Sequence, residues 1–307
     1  MTIKFSVGMN QKFPLLDTFI WYLNERWSIH QKRLKGLASP WTDDAALQKY
    51  RFCQVRREDD RVTRWIHENW LRPHADDPDL WHAMCVARVG FNRPATLEAV
   101  GWPEPWNRRG RAVMEAARRR KADGLPIITG AYIIATHGSG DRDGYGRRRP
   151  LVEYIYDMLN GAWKERDTLA PRADDTLQSF HARLVKPFGF GLFTAGQVVA
   201  DMKHARPLIN AKDWLTFAIS GPGSLKGLNL VCGRELNQRW READWHATLL
   251  EVRKALLPSL PKALHTLDAQ NIEHGLCELF KWRRIQEGGR SRNTFKVAQF
   301  DYFKELR

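Results

Sequence analysis

Residues 184–201 read LVKPFGFGLFTAGQVVAD and contain the most informative pattern in the chain. One helical segment leads up to the glycine pair of FGFG (188–191), and a second helical segment opens at Leu192 or Phe193. Glycine at this spacing permits a tight turn and a close approach of the backbone. Backbone N–H groups then point outward at the start of the second helix, where the helix dipole favours an anion. The stretch therefore predicts two helices joined by a hairpin that binds phosphate.

This segment resembles the helix-hairpin-helix motif of DNA glycosylases and related DNA-binding proteins. In that motif a Gly-apolar-Gly hairpin is followed by a Thr-Ala-like pair, here Thr194 and Ala195. The resemblance implies that Lys186, Gly189, Gly191 and Thr194 bind DNA. Such hairpins contact the DNA backbone without reading sequence. The alternative is an ordinary helix-glycine-helix turn.

Asp201 follows Thr194 by two turns of the second predicted helix and is a candidate catalytic carboxylate. In many hairpin glycosylases an acidic residue beyond the hairpin performs the chemistry, although usually farther along the chain. A structural role in helix packing is the alternative for this residue.

The charge and cysteine content of the chain agree with a DNA-binding protein in a reducing compartment. Lys and Arg number 49 against 35 Asp and Glu, a formal net charge of +14, which attracts polyanions. The four cysteines form no C-x-x-C pair, so a zinc ribbon is not expected. The sequence shows no run of 18 apolar residues and no signal peptide pattern, so we expect a cytoplasmic protein without membrane association.

Apolar periodicity predicts a mainly helical, all-α fold, similar to the helix-hairpin-helix DNA glycosylases. We expect two closely packed helical lobes, residues 1–125 and 126–307, or one integrated domain. The short apolar run 126–136 is compatible with a strand or a buried helix. Helices are predicted over 14–36, 44–71 (one long helix or two), 79–92, 111–123, 151–164, 174–186, 192–203, 211–219, 240–256 and 268–285.

Two basic segments outside the hairpin are further candidates for contact with DNA. Residues 111–123, RAVMEAARRRKAD, predict a basic helix, and residues 137–149, HGSGDRDGYGRRR, predict an exposed glycine-rich loop. A solvated helix face and a plain connector explain the same patterns, so both interpretations stay open.

Three further segments indicate a wider resemblance: FCQVRREDDRVTRWI (52–66), ISGPGSLKGLN (219–229) and QNIEHGLCELFKWRR (270–284). Together with the hairpin, residues 83–97 and residues 128–134, they resemble the phage alpha-glutamyl/putrescinyl thymine pyrophosphorylases, also described as amino acid:DNA transferases. They are also similar to the helical domain found with phage hydroxymethyluracil DNA kinases. The chain carries Gln54 where the family has Asn, so no role is assigned to that position.

The resemblance implies a pyrophosphate-releasing transferase that works on double-stranded DNA in an infected bacterial host. In that family, a hydroxymethyluracil DNA kinase first pyrophosphorylates the hydroxymethyl group of 5-hydroxymethyluracil. The transferase then replaces pyrophosphate with an amine or amino acid, which is the co-substrate. No cofactor is certain, and a divalent metal stays open because no His/Asp cluster identifies its ligands. If the base is flipped out, the candidate stacking residues are Trp65, Trp102, Trp106 and Tyr132.

A pyrophosphate leaving group requires cations to hold it. Arg57 and Arg61 would share a face of a helix, and Asp60 would orient them. Lys226, in the predicted glycine-rich turn 221–227, is the second candidate. An exposed ladder of salt bridges and a connector turn are the alternatives. The G-x-x-x-x-G-K-[ST] order of a P-loop kinase does not occur in the sequence.

The segment 270–284 predicts a helix that carries the candidate catalytic groups. Glu273, Cys277 and Lys281 would line one face, and His274 and Glu278 would lie on a neighbouring one. A carboxylate and an imidazole are suited to take protons from an incoming ammonium group. A Cys277 of low pKa would add to the pyrimidine ring and help to expel pyrophosphate. A buried structural cysteine is the alternative.

Two other functions stay open on the sequence. One is a hairpin-type DNA glycosylase that acts on a modified base, which release of free base would identify. The other is a non-catalytic DNA-binding subunit of a hydroxymethyluracil DNA kinase, for which salt-sensitive DNA binding without turnover is expected.

Overall fold

The computed structural model describes residues 12–129, 150–291 and Thr294, and every regular element in that part of the chain is helical. The all-α fold is thereby confirmed. No described helix is both long and apolar enough to cross a bilayer. The α-helices are α1 (Leu16–Leu34), α2 (Ala45–Lys49), α3 (Arg61–Ile66), α4 (Leu80–Cys85), α5 (Pro94–Val100), α6 (Trp106–Ala122), α7 (Leu151–Lys164), α8 (Arg166–Leu169), α9 (Leu177–Leu184), α10 (Leu192–Met202), α11 (Pro222–Val231), α12 (Glu242–Leu256) and α13 (Ala269–Gln286).

Most of the predicted helices agree closely with this order, because their apolar residues recur at the helical period and face a core. Local caps set several of their ends. Thr176 accepts a hydrogen bond from the Ser179 N–H at 3.0 Å before α9, and Asp268 accepts one from the Asn271 N–H at 2.9 Å before α13. The agreement covers α1, α4, α6, α7, α9, α10, α12 and α13, where α4 continues as a π-helical turn over Val86–Gly90.

The segment 44–71, predicted as one long helix or two, contains two separate helices, α2 and α3. Tertiary hydrogen bonds keep the chain between them from forming a helix. Arg26 donates to the carbonyls of Phe52 and Cys53, each at 3.1 Å. The Cys53 N–H donates to the Glu278 carboxylate at 3.0 Å. These bonds satisfy backbone groups that a helix would otherwise pair internally.

The predicted helix over 211–219 is wrong, for the same kind of reason. The Leu215 carbonyl accepts a hydrogen bond from the Ala269 N–H at 3.0 Å. The Thr216 carbonyl accepts one from His246 Nε2 at 2.7 Å. Backbone groups that would pair within a helix are therefore bound to other elements.

The helices form two compact units, one of which is built from two separate stretches of chain. Unit 1 contains the residues up to Arg61 and those from Leu215 onward, and unit 2 runs from Val62 to Trp214. The sequence-based division at 125/126 does not coincide with these borders. The reason is that α1 and α2 pack with α12 and α13, a long-range association that local sequence patterns do not reveal.

Unit 1 has a core of large apolar side chains around α13. Phe19, Tyr22, Trp245, Leu276 and Trp282 are all buried in it. The closest helix pair in this unit is α11 with α13. This core presents one side of α13 to the interior and leaves its other side to carry polar groups.

Glycines explain how closely α11 approaches α13. A methyl group at Gly227 would overlap the backbone carbonyl of Leu276, and one at Gly223 would overlap the Cys277 sulfur. The spacing of four residues puts both glycines on one face of α11. Only hydrogen at these two positions permits the observed contact.

Unit 2 contains a buried histidine-carboxylate pair. His82 Nδ1 lies 2.6 Å from Glu104 Oε1, and His82 Nε2 donates to the Leu159 carbonyl at 2.9 Å. Burial raises the pKa of Glu104. Hydrogen bonds from His82 and from the Trp106 N–H oppose this rise. The pair links α4, the start of α6 and α7 inside the unit.

Substitution of Gly227 by alanine tests the α11–α13 contact. We expect Gly227→Ala to lower the free energy of unfolding by about 1–3 kcal/mol, because the clash is with rigid backbone. Urea denaturation of the purified chain measures the effect.

Gly161→Ala is the matched control, because a Cβ at this helical glycine meets nothing within 4 Å. We expect it to leave stability unchanged or to raise it by up to about 1 kcal/mol through helix propensity. Equal stability of the two variants would show that α11 does not require the glycine.

Candidate functional site

The partly exposed side of α13 brings together three of the predicted catalytic residues: Glu273, His274 and Cys277. Ser224 of α11 forms a hydrogen bond with Glu273, and Gly223 lies against the Cys277 side chain. The close approach of α11 thus forms one wall of this group, which we call the α13 cluster (Glu273, His274, Cys277). It lies within unit 1.

Glu273 has the acid-base properties of a catalytic carboxylate. Burial raises its pKa to about 7, a rise that the Ser224 hydrogen bond and the charge of Arg57 only partly offset. A carboxylate with this pKa exchanges a proton readily at neutral pH. The prediction that Glu273 takes part in proton transfer is therefore consistent with its surroundings and stays a prediction.

His274 is neutral at physiological pH. Burial lowers the pKa of its imidazole; Glu278 opposes this effect and Arg57 reinforces it. A neutral imidazole can accept a proton, and it can pass one on through its second nitrogen.

Cys277 is not the low-pKa thiol that the sequence predicted. Burial, together with the charges of Glu273 and Glu278, raises the pKa of Cys277 to about 12, and Lys281 opposes this only in part. The thiol is therefore protonated at neutral pH and is a poor nucleophile. Its packing against Gly223 accounts for a small apolar side chain at this position.

Glu278 and Lys281 anchor the segment that precedes Arg57 rather than standing free. Glu278 is buried and accepts the Cys53 N–H, while Lys281 donates to the Arg51 carbonyl at 2.6 Å and lies 3.3 Å from Glu278. These contacts hold residues 51–53 against α13. We therefore assign both side chains a positioning role, in place of the catalytic one predicted.

The predicted pyrophosphate-binding residues are arranged differently from the expected helix face. Arg57 opens a single 3₁₀ turn, Arg57–Asp59, and Asp60 is extended before α3 begins at Arg61. Arg57 and Arg61 therefore do not share a helical face. The Arg57 N–H donates to Asn271 Oδ1 at 2.8 Å, so the 3₁₀ turn is tied to the beginning of α13.

The sequence pattern did not single out Arg56 and Asp59, which form a two-pronged ion pair at 2.8 and 3.0 Å. The Arg56 guanidinium also lies 5.0 Å from the centre of the Trp27 ring. The spacing of Arg56 and Asp59, i and i+3, could have indicated this ion pair. Arg57 and Asp60 have the same spacing, so the sequence did not distinguish the two pairs.

The predicted glycine-rich turn 221–227 is wrong, because all but its first residue belong to α11. Gly221 is the cap, and its N–H donates to the Ser224 hydroxyl at 2.9 Å. The glycines serve helix packing instead of a phosphate cradle. Lys226 lies with its ammonium 5.4 Å from the Phe280 ring centre, on the α11 surface.

In unit 2, a short turn that contains Gly189 and Gly191 joins α9 to α10. Gly189 adopts a φ of +79°, and a side chain there would collide with Met158. Gly191 precedes α10, and its N–H donates to the Thr194 hydroxyl at 2.8 Å. Lys186 and both glycines are exposed. Two helices joined by a tight glycine turn are present. The helix-hairpin-helix motif and DNA binding by it stay predictions.

A family described as 5-hmdU DNA kinase, helical domain, matches residues 13–290 of the chain. The chain belongs to this family. The match includes the α13 cluster, the Arg56–Asp59 segment and the hairpin. It confirms the resemblance to the kinase-associated helical domain, while a specific relation to the thymine pyrophosphorylases stays a prediction.

A curated relative carries the name 5-hmdU DNA kinase and comes from Bacillus phage SP10. It is 27% identical over 234 residues, which are 71% of this chain and 36% of the relative. The chain thus spans little more than a third of that protein's length. No solved structure matches the chain.

Within this 5-hmdU DNA kinase helical domain, Asp201 is a structural residue and not the predicted catalytic one. Its carboxylate has 0% exposure and forms a two-pronged pair with Arg88, whose Nη2 lies 2.8 Å from Oδ1. His67 Nε2 lies 3.2 Å from the same oxygen, and Arg88 also donates to the Thr63 hydroxyl at 2.9 Å. A substrate has no access to this buried group. The contacts of Asp201 with His67 and Arg88 instead link α10 to the chain just after α3 and α4.

The tryptophans predicted to stack on a base differ in accessibility. Trp106 is 2% exposed and belongs to the core, so it is excluded. Trp102 is partly exposed and stacks on His74 at 3.6 Å, and Trp65 is partly exposed beside Trp70. Tyr132 and the predicted loop 137–149 lie outside the described residues.

Thiol reactivity tests the assignment of Cys277. Burial raises the pKa of all four cysteines, to about 12 for Cys277 and about 11 for Cys232, with Cys53 and Cys85 also well above their ordinary values. We expect iodoacetamide at pH 7.5 to label the folded protein much more slowly than free cysteine, because little thiolate is present. Intact mass spectrometry measures the label.

Unfolded protein in urea is the control and should take up four labels. Rapid modification of Cys277 in the folded protein would contradict the raised pKa and restore the nucleophile hypothesis.

Proposed function

We propose that this chain modifies thymine in DNA, replacing the pyrophosphate of 5-(pyrophosphoryloxymethyl)uracil with an amine or amino acid. The observation that carries the proposal is the Glu273 carboxylate, whose pKa burial raises to about 7, on a helix to which the Arg57 turn is bound. A base with this pKa and a nearby cation are the two groups that such a transfer needs.

The proposed step is a substitution at the methylene carbon attached to C5 of the uracil. The neutral amine attacks this carbon, a C–N bond forms, and the C–O bond to pyrophosphate breaks with its electron pair leaving on oxygen. The nitrogen, now an ammonium, releases one proton. The products are the aminomethyl uracil, pyrophosphate and that proton, so no oxidant or reductant is required.

We assign the proton transfer to Glu273, with neutral His274 as a second acceptor. Ionised Glu273 deprotonates the incoming ammonium before attack or the product ammonium after it. Arg57 and Lys226 are the cations of unit 1 proposed to hold the pyrophosphate, with Asp60 near Arg57. Cys277 has no covalent role in this scheme.

We propose that DNA is held through unit 2, by backbone N–H groups at the hairpin and by Lys186. Such contacts use the phosphate backbone and are independent of sequence. The relative's name says that it is a 5-hmdU DNA kinase, and a kinase acting on that base supplies a phosphorylated hydroxymethyl group. The P-loop order that a nucleotide-dependent kinase uses does not occur in the 307 residues.

Nucleoside mass spectrometry tests the proposed reaction. Purified protein is incubated with duplex DNA that carries 5-(pyrophosphoryloxymethyl)uracil and with a mixture of amino acids and polyamines, and the DNA is digested and analysed. We expect a nucleoside with one amine adduct, together with released pyrophosphate. Free base would identify a glycosylase instead, and unchanged DNA across the panel would contradict the transfer.

Glu273→Gln tests the proposed base. We expect the rate of adduct formation to fall by about 10²–10⁴-fold, because glutamine cannot accept the proton. In the wild type, the rate should rise with pH up to about 7 as Glu273 ionises, and this limb should vanish in the variant. Glu287→Gln, at the exposed end of α13, is the control and should keep the wild-type rate.

Stability distinguishes a catalytic Glu273 from a structural one. Its pKa is raised from an ordinary 4.5 to about 7, so the fold favours the protonated form. The stability that it contributes is present below pH 4.5 and is lost as pH rises to about 7. We expect Glu273→Gln to be as stable as the wild type or more stable at pH 8, measured by urea denaturation. A large loss of stability there would make the residue structural.

Lys186→Glu tests the hairpin as a DNA contact. We expect weaker binding to unmodified duplex DNA and a salt dependence, log K against log salt, that is shallower by about one. Lys164→Glu, an exposed lysine at the end of α7, is the matched charge change and should affect binding less. Equal losses in both variants would show that only the net charge matters. Fluorescence anisotropy at several salt concentrations provides the measurement.

A further inference from the structure

A cavity of about 420 Å³ opens beside the second half of α1, in a part of unit 1 that the proposed reaction does not use. Its wall combines the indole of Trp41 and the ring of Pro40 with the polar side chains of Ser39 and Gln48. The volume lies in the range of small-molecule sites, which are largely apolar with a few polar groups that orient the ligand.

The charged residues among the described lining of the cavity are both cationic. Arg33 and Lys49 line it, and none of the described residues that line it is acidic. Asp44 begins the neighbouring helix, but its carboxylate is buried and accepts hydrogen bonds from the Leu47 N–H, Trp282 and Gln286. The Asp44 carboxylate is therefore already engaged with the core. Asp43, which follows Thr42, is exposed and does not line the cavity.

Further cations lie behind Arg33. The charges of Arg26, Arg33 and Arg56 all act on His30, and Asp59 is the carboxylate that opposes them there. Among the described residues whose charges act on His30, three guanidinium groups and one carboxylate sum to a net positive charge on this side of α1. Burial strengthens such a field, since Arg26 and Arg33 are largely shielded from water.

The aromatic wall is held in place before any ligand binds. Trp41 Nε1 donates a hydrogen bond to the Leu37 carbonyl at 2.7 Å. The Trp41 carbonyl accepts a hydrogen bond from the Lys32 ammonium at 2.7 Å. The Arg33 guanidinium lies 4.6 Å from the centre of the Trp41 ring. A fixed indole with an adjoining cation reduces the ordering that a ligand requires on binding.

We propose that this cavity binds a small organic anion, in which a carboxylate or phosphate faces Arg33 and Lys49 and an apolar part contacts Trp41 and Pro40. A free amino acid and a nucleoside monophosphate both have this chemistry. A polyamine does not, because it carries only positive charge. The inference concerns a second site and does not rest on the proposed function.

Calorimetric titration of the full chain at pH 7 and 150 mM salt tests the proposal with thymidine monophosphate, glutamate and putrescine. We expect saturable binding of at least one anion and none of putrescine. The anion that binds identifies the source of the ligand. Failure of both anions, or equal binding of putrescine, would overturn the proposal without affecting the transfer reaction.

Lys49→Glu is the informative variant, because Lys49 is exposed and its replacement leaves the core intact. We expect it to weaken binding of the anion by about tenfold or more, since an attractive charge becomes repulsive. Lys35→Glu, an exposed lysine at the end of α1 that does not line the cavity, should change binding by less than about twofold. Equal effects of the two variants would indicate general charge attraction and contradict a defined site.

Discussion

The approach of α11 to α13 is the contact on which the candidate site of unit 1 depends. Gly223 and Gly227 let the backbone of one helix lie against Leu276 and Cys277 of the other. The same approach brings Ser224 to Glu273, whose pKa is raised by burial. A wider separation between these helices would hydrate Glu273 and return its pKa towards the ordinary range. A packing constraint and a chemical property thus have one cause.

The segment before α3 shows how a helix can organise a stretch of chain with no regular structure of its own. Glu278, Lys281 and Asn271 each bind backbone groups between Arg51 and Arg57. These bonds place the Arg57 turn beside the α13 cluster. Charged side chains that look catalytic in the sequence therefore position other groups, and the proposed reaction assigns the proton transfer to Glu273 and His274.

Membership of the 5-hmdU DNA kinase helical-domain family places the chain among proteins associated with modified DNA, and the chain corresponds to only 36% of the SP10 relative. The two units carry different proposed tasks. Unit 1 holds the α13 cluster and the cationic cavity, and unit 2 holds the hairpin. In unit 2 the buried pair of Arg88 and Asp201 supports α10, whose first turn carries the proposed phosphate contacts. A buried, fully paired charge of this kind is costly to break, which suits a supporting role.

The sequence by itself determined the helical class and most helix positions, because these follow from the short-range periodicity of apolar residues. It also identified Glu273 and His274 as candidates. The tertiary structure alone decided that residues 50–55 are not helical, that 222–227 are helical, and that Asp201 and Trp106 are buried. It also decided the protonation of Cys277 and Glu273, since a pKa depends on burial and on charges that distant segments bring together. Sequence spacing reports neighbours along one helix, whereas water exclusion and charge proximity arise between elements far apart in the chain.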